Sequence, residues 1–212
     1  MENKKTLSGL YPFLDKDKSS NPDLLDSVRR KAEDSVKAKQ VFFQNNADKI
    51  VQAAQIIAKS YQQGGHLFSM GNGGSSCDAA HITTEFMHPI TTGRKALGAT
   101  NLSADIATMT AVGNDVGNEH VFLRQLICLA RKNDVLIGFS TSGNSENLIQ
   151  AFAQAKEMGL YTIGFSGQTG GEMAKCESVD LCLTVETDSI HRVQESHLTT
   201  YHILWDLVHS IL

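Results

Sequence analysis

The sequence predicts an α/β domain built on a parallel sheet of five strands with helices on both faces. Short apolar runs recur along the chain, and helical sequence separates each from the next. Two of the runs end in loops rich in glycine and serine. Strands buried on both faces read as continuous apolar stretches instead of alternating ones, which is the form these runs take.

The chain has 212 residues, enough for one domain with a substantial core. Residues 1–21 carry mixed charge and little periodicity and read as an N-terminal extension; residues 22–212 read as a single domain. A helix start follows the extension, with Asn21 as N-cap, Pro22 at the first helical position and Asp23 in the first turn. From Leu24 to about Phe43 the apolar residues Leu24, Leu25, Val28, Ala32, Val36, Val41, Phe42 and Phe43 are sparse. Such a narrow stripe suits packing on a neighbour, or a surface helix of its own domain. A second helix is expected over 47–63, where Ile50, Ala53, Ala54, Ile57 and Tyr61 stand at helical spacing and Gly64-Gly65 forms the stop.

The period then changes. Strands are expected at 66–71, 134–140, 160–167 and 179–186, with a weaker one at 95–101. Helices are expected between them at 103–114, 118–131 and 145–159. The last segment, 191–212, reads as a long amphipathic helix that packs Leu198, Tyr201, Leu204, Trp205 and Val208.

Composition removes several classes of function. A hydrophobic share of 41% and a charged share of 20% give no support for disorder or a coiled coil. A net charge of -4 leaves no broad basic surface for a nucleic-acid backbone, so direct nucleic-acid binding is not expected. The four cysteines form no CxxC pair, the N-terminus has no apolar signal core, and no apolar stretch nears the roughly 20 residues of a membrane span. A soluble cytoplasmic protein is expected.

The runs at 66–71 and 134–140 lead into GNGGSSCDAAH (71–81) and STSGNSENL (140–148). At the carboxyl ends of parallel strands, such turns aim backbone N–H groups and a helix N-terminus at an anion, and hydroxyls add donors without bulk. Ser75, Ser140, Thr141, Ser142 and Ser145 would cradle a phosphate without any Lys or Arg, and neither loop contains one. Gly, Asn and Ser also serve ordinary turns and caps. A dinucleotide is the competing ligand, but GNGGSS lacks the GxGxxG spacing.

His81 and Glu85 lie four residues apart on the helix leaving the first loop, so they share a face and can converge on one substrate atom or metal ion, or form a solvated surface pair. The last helix offers Gln194, Glu195, His197, Tyr201 and His202 among apolar neighbours. Helix geometry pairs Gln194 with His197 or Tyr201 and sets His202 roughly 80° around and about 12 Å along from it, so spacing alone selects His197.

GNGGSSCDAAH with Glu85, then TAVGNDVG, DVLIGFSTSGNSENLI, GGEMAK and RVQESH, together resemble the phosphoheptose isomerases of the sugar isomerase (SIS) family, from about residue 22 to the C-terminus. The resemblance implies a flavodoxin-like three-layer αβα sandwich and a homotetramer with active sites at subunit interfaces, in which the N-terminal helix packs. It implies phosphate contacts from Ser75, Ser140, Ser142 and Ser145, with Thr141, Gly73 and Gly74 beside them, and sugar-facing groups at Asn72 and Asp105. Glu85 resembles the base and His202 the histidine that works with it. His81, Glu85, Gln194 and His202 resemble the zinc site of some members, so the resemblance selects His202 where spacing selects His197. A site shared between subunits would explain why such ligands need not lie on one helix stripe.

Two departures concern the sugar: Arg94 stands several residues later than the family's Thr-Gly-Arg stretch, and His191 occupies a position where a small residue or Asp is usual. The implied reaction is the conversion of sedoheptulose 7-phosphate to D-glycero-D-manno-heptose 7-phosphate through an enediol, an early step toward ADP-heptose and the lipopolysaccharide core. The alternatives are a relative that associates with the replication initiator DnaA, and a module that senses sugar phosphates without acting on them.

Overall fold

The computed structural model describes residues 23–212. The expected extension 1–21, and the capping roles given to Asn21 and Pro22, lie outside the described residues. Asp23 itself is the cap: its Oδ1 accepts from the backbone N–H of Leu25 at 3.0 Å and of Asp26 at 3.3 Å.

From there one helix, α1 (Leu24–Gln62), runs through the region expected to hold two. What changes near its middle is burial, not backbone. Leu24, Leu25, Val28 and Val36 are exposed, whereas Ile50, Ala53, Ala54 and Ile57 are buried. No Gly or Pro interrupts the segment, and Asn46, buried at the join, satisfies its amide on the carbonyl of Phe42 at 3.0 Å, four residues back. The predicted stop holds: Gly65 N–H bonds the carbonyl of Ser60 and Gly64 N–H that of Tyr61, with Gly64 at φ 78°. Residues 35–212 make up one compact unit, and the first turns of α1 belong to a separate one.

The sheet has five parallel strands in the order β2-β1-β3-β4-β5, where β1 is Leu67–Gly71, β2 Ala99–Asn101, β3 Val135–Ser140, β4 Tyr161–Gly167 and β5 Leu181–Val185. The weak run at 95–101 yields only the three residues of β2, an edge strand. Between them lie α2 (Gly74–Met87), α3 (Ile106–Asp115), a 3-10 turn (Asn118–His120) with α4 (Val121–Leu129), and α5 (Glu146–Glu157). The segment expected as one helix at 118–131 is thus a tight turn followed by a helix. The chain ends in α6 (Ile190–Ile211).

Strand residues alternate between two cores. Val135, Ile137 and Phe139 of β3 face α1, α2 and α6, while Leu136 faces α4 and α5. The three-layer expectation is met. Gly138 follows the same alternation: a Cβ there would meet the ring of Phe152 on α5 at 2.6 Å, so only glycine lets α5 sit this close to the sheet. Of the residues expected to pack α6, Tyr201, Leu204 and Val208 are buried and Trp205 half-buried, but Leu198 is 40% exposed.

Val193, Ser196 and Thr200 of α6 are buried as well, and so is His197, fully enclosed between Phe139 and Phe165. Its Nε2 lies 3.1 Å from the carbonyl of Ser166, while its Nδ1 has no partner among the described residues. Burial pushes its pKa down to about 4. Asp78 on α2 is the opposite case, 7% exposed, its carboxyl raised by burial to about 7.

These two groups oppose each other across one pH window. The imidazole takes up its proton near pH 6.5 when unfolded and near 4 when folded, so stability falls as pH drops between those values. The Asp78 carboxyl ionises earlier unfolded than folded, so its contribution is lost as pH rises from about 4 toward 7. Between pH 4.5 and 6.5 the two contributions offset each other in the wild type, and His197→Gln is expected to lower the slope of unfolding free energy against pH by up to about 1.4 kcal/mol per pH unit relative to it. Asp78→Asn should change the slope in the opposite sense. A wild-type slope left intact in His197→Gln would contradict the burial of a neutral imidazole.

Candidate active site

Two loops meet at the carboxyl edge of the sheet because β1 and β3 are neighbours, with Gly71 in register with Phe139. Their meeting is fastened by a reciprocal amide pair: Asn72 Nδ2 donates to Asn147 Oδ1 at 2.9 Å, and Asn147 Nδ2 returns the bond to Asn72 Oδ1 at 3.0 Å. Asn147, in the first turn of α5, was not singled out from the sequence. A third loop joins them, for Ser103 Oγ donates to the Gly71 carbonyl at 2.9 Å.

The hydroxyls expected to hold phosphate lie on these loops. Ser75 is buried in the first turn of α2, and Ser140 is buried at the tip of β3 with its Oγ 3.0 Å from Ser145 Oγ and accepting from Gly143 N–H at 3.1 Å. Thr141 and Ser142 are half-buried on the same turn. Gly143 holds that turn in the left-handed region at φ 68°, closely backed by the Gly170 carbonyl. Both α2 and α5 start without a side-chain cap, whereas α3 and α6 are capped by Asp105 and Ser189. Uncapped N–H groups at two adjacent helix starts, ringed by hydroxyls, suit an anion. Beside them a cleft of about 650 Å³ is lined by Asn72, Asn118, Ser145 and Asn147.

Asp105, expected to face the sugar, is exposed; its carboxylate accepts from the backbone N–H of Thr108 at 3.0 Å and from its hydroxyl at 2.6 Å. The Thr108 hydroxyl, then the backbone N–H, hold its pKa below the usual carboxylate range.

The second centre lies farther along α2. His81 Nε2 is 3.0 Å from Glu85 Oε1, and ligand atoms of His81, Glu85 and His202 all lie within 4.8 Å of one another. Spacing along α6 selected His197, and that choice fails because His197 points into the core; His202 is the histidine brought to α2. The reason is the packing of α6: Tyr201 is 1% exposed and its hydroxyl reaches His81 Nδ1 at 2.8 Å, while Trp205 Nε1 donates to the Glu85 carbonyl at 2.8 Å. Those two anchors leave His202, between them in sequence, beside His81 with ring centroids 5.0 Å apart. All three donors come from one chain, so no second subunit is needed to bring them together.

Two imidazoles and a carboxylate with room for further ligands form a donor set suited to a catalytic zinc ion. Gln194, the fourth residue the resemblance names, rests its amide against Gly74 at the head of α2. Arg94 is committed elsewhere: its Nη2 donates to Asp206 Oδ1 at 2.9 Å, and its guanidinium lies 5.9 Å from the centre of the Trp205 ring. His191 is exposed in the first turn of α6.

Comparison with known proteins identifies the family. Residues 32–167 match the family model described as the SIS domain. A phosphoheptose isomerase of Thermodesulfovibrio yellowstonii is 40% identical over 190 residues, 90% of this chain and 94% of that protein. One from Burkholderia pseudomallei is 44% identical over 163 residues, 76% of this chain and 82% of that protein. Among solved structures, a phosphoheptose isomerase from Neisseria gonorrhoeae superposes with a TM-score of 0.82 at 35% identity, covering 88% of this chain and 99% of that one. With the SIS model matched over residues 32–167, and relatives this close over most of their length, the chain belongs to the SIS-domain family of phosphoheptose isomerases.

Proposed function

We propose that the chain interconverts an aldose and a ketose phosphate, turning sedoheptulose 7-phosphate into D-glycero-D-manno-heptose 7-phosphate through an enediol. The observation that carries this reading is that one helix serves both halves of the substrate. Helix α2 begins at the serine cradle and, two turns on, presents His81 and Glu85 to His202. Side chains on a helix lean toward its N-terminus, so Glu85 is inclined toward the cradle.

In this reading Ser75, Ser140, Ser142 and Ser145, with Thr141 and the turn of Gly73 and Gly74, hold the phosphate, while Asn72 and Asp105 face the sugar hydroxyls. Glu85 takes the proton from carbon 1 and returns it to carbon 2. His202 moves the proton between the two oxygens. Zinc, one ion per subunit, would be held by His81, Glu85 and His202 with Gln194 and would polarise the carbonyl oxygen. The reaction would serve lipopolysaccharide precursor synthesis in the cytoplasm; among the described residues no helix is long and apolar enough to cross a membrane.

The chain is further proposed to be a homotetramer. Leu24, Leu25, Val28 and Val36 leave an apolar stripe of α1 exposed, each more than half accessible, which a partner surface would cover. Neither the initiator-associating nor the sensing alternative has a use for an acid/base pair, and the relatives carry the isomerase name.

Steady-state kinetics with sedoheptulose 7-phosphate separates the two centres. Glu85→Gln keeps shape and hydrogen bonding, so kcat is expected to fall by about two to four orders of magnitude with little change in KM. Ser142→Ala should raise KM and leave kcat within a few-fold, while His202→Ala should lower kcat. Full activity in Glu85→Gln would sink the isomerase mechanism, and an unchanged KM in Ser142→Ala would remove that hydroxyl from the cradle. Sedimentation at micromolar concentration is expected to give the mass of four chains; a monomer would rule out the tetramer.

A further inference from the structure

We infer that Tyr201 is the positioning residue of the His81, Glu85 and His202 cluster, its hydroxyl fixing the ring of His81 so that Nε2 faces the other two donors. This rests on the reading of that cluster as the reactive centre.

Packing alone does not hold the His81 ring, whose side chain remains 39% accessible. Tyr201 is held. It is 1% exposed, edge-on to Phe139 of β3 at 6.0 Å and to His81 itself at 5.3 Å. A phenylalanine would fill that space without burying a polar atom, so what the tyrosine adds is its 2.8 Å bond to His81 Nδ1. The next residue, His202, projects about 100° farther round the helix. Helix α6 thus grips His81 with one residue and sets a second donor beside it with the next.

Glu85 decides which nitrogen carries hydrogen, and the phenol matches it. A carboxylate oxygen only accepts, so with Nε2 at 3.0 Å from Glu85 Oε1 the proton sits on Nε2, and Nδ1 accepts from the phenol. When Nε2 is needed as a ligand, the neutral ring carries its hydrogen on Nδ1 and donates to the phenol oxygen. A phenol does both, so the contact survives either tautomer. In the second state the hydroxyl hydrogen turns to another acceptor. Asp78, about one turn before His81 on α2, has a buried Oδ2 with no partner among the described residues. Outer partners of this kind orient metal-binding histidines in general.

Tyr201→Phe removes the hydroxyl and keeps the ring. In metal-free protein at alkaline pH, nitrogen-15 NMR of the imidazoles is expected to show His81 as the Nε2–H tautomer in both proteins, with the Nδ1 signal displaced in the variant by loss of the phenol hydrogen bond. Zinc affinity, by competition with a chromophoric chelator, should weaken about ten- to a hundredfold in the variant. A mixed tautomer in the wild type, or an unchanged His81 signal and zinc affinity in the variant, overturns the role given to Tyr201. If the wild-type protein binds no zinc, the metal assignment fails by itself and the NMR comparison still decides on Tyr201.

Discussion

The candidate active site depends on one packing event, the seating of α6 on α2. Two hydrogen bonds secure it, each between residues 120 positions apart: Tyr201 to His81 and Trp205 to the backbone of Glu85. Without them α2 would present an ordinary histidine and glutamate to solvent, and His202 would be a surface residue of a C-terminal helix. With them, three donors occupy one small volume. The apolar face of α6, with Leu204 and Val208 buried in the same core, supplies the free energy that holds the polar contacts in place.

The anion side obeys a different constraint. Parallel strands put all their carboxyl ends at one edge, so loops far apart in sequence become neighbours without any special contact. What the individual residues add is fastening. Asn72 and Asn147 bind the first and third loops to each other, and the loop after β4 backs the second serine turn, where Glu172 N–H donates to Asn144 Oδ1 at 2.9 Å. Hydroxyls held this way lose little further freedom when an anion arrives, so they act as a preformed site.

The strands and layers were legible because each apolar run is bounded by turn residues and followed by helical sequence, and the two serine loops stood out by composition alone. Three features were not. The continuity of α1 was hidden because its burial changes half-way while its backbone does not. The bounds of the edge strand β2 were read too wide, since the weak run at 95–101 keeps only Ala99–Asn101. The third concerns the last helix, where spacing on a single element favours His197. The choice between His197 and His202 depends on which face of α6 meets the sheet and which meets α2, a tertiary fact; the family resemblance supplied the residue that geometry on one helix could not. Asn147 was missed because an asparagine after SGNSE reads as one more turn former until its partner across the cleft is seen.

The central claim is that the cluster at His81, Glu85 and His202 moves a carbon-bound proton. The most direct measurement is conversion of sedoheptulose 7-phosphate in deuterium oxide, with the position of any deuterium in the product read by NMR. An enediol formed and collapsed by a carboxylate that exchanges with solvent predicts aldose carrying solvent deuterium at carbon 2. Aldose formed with no solvent deuterium, as in a direct hydride shift, or no aldose at all, would contradict the account.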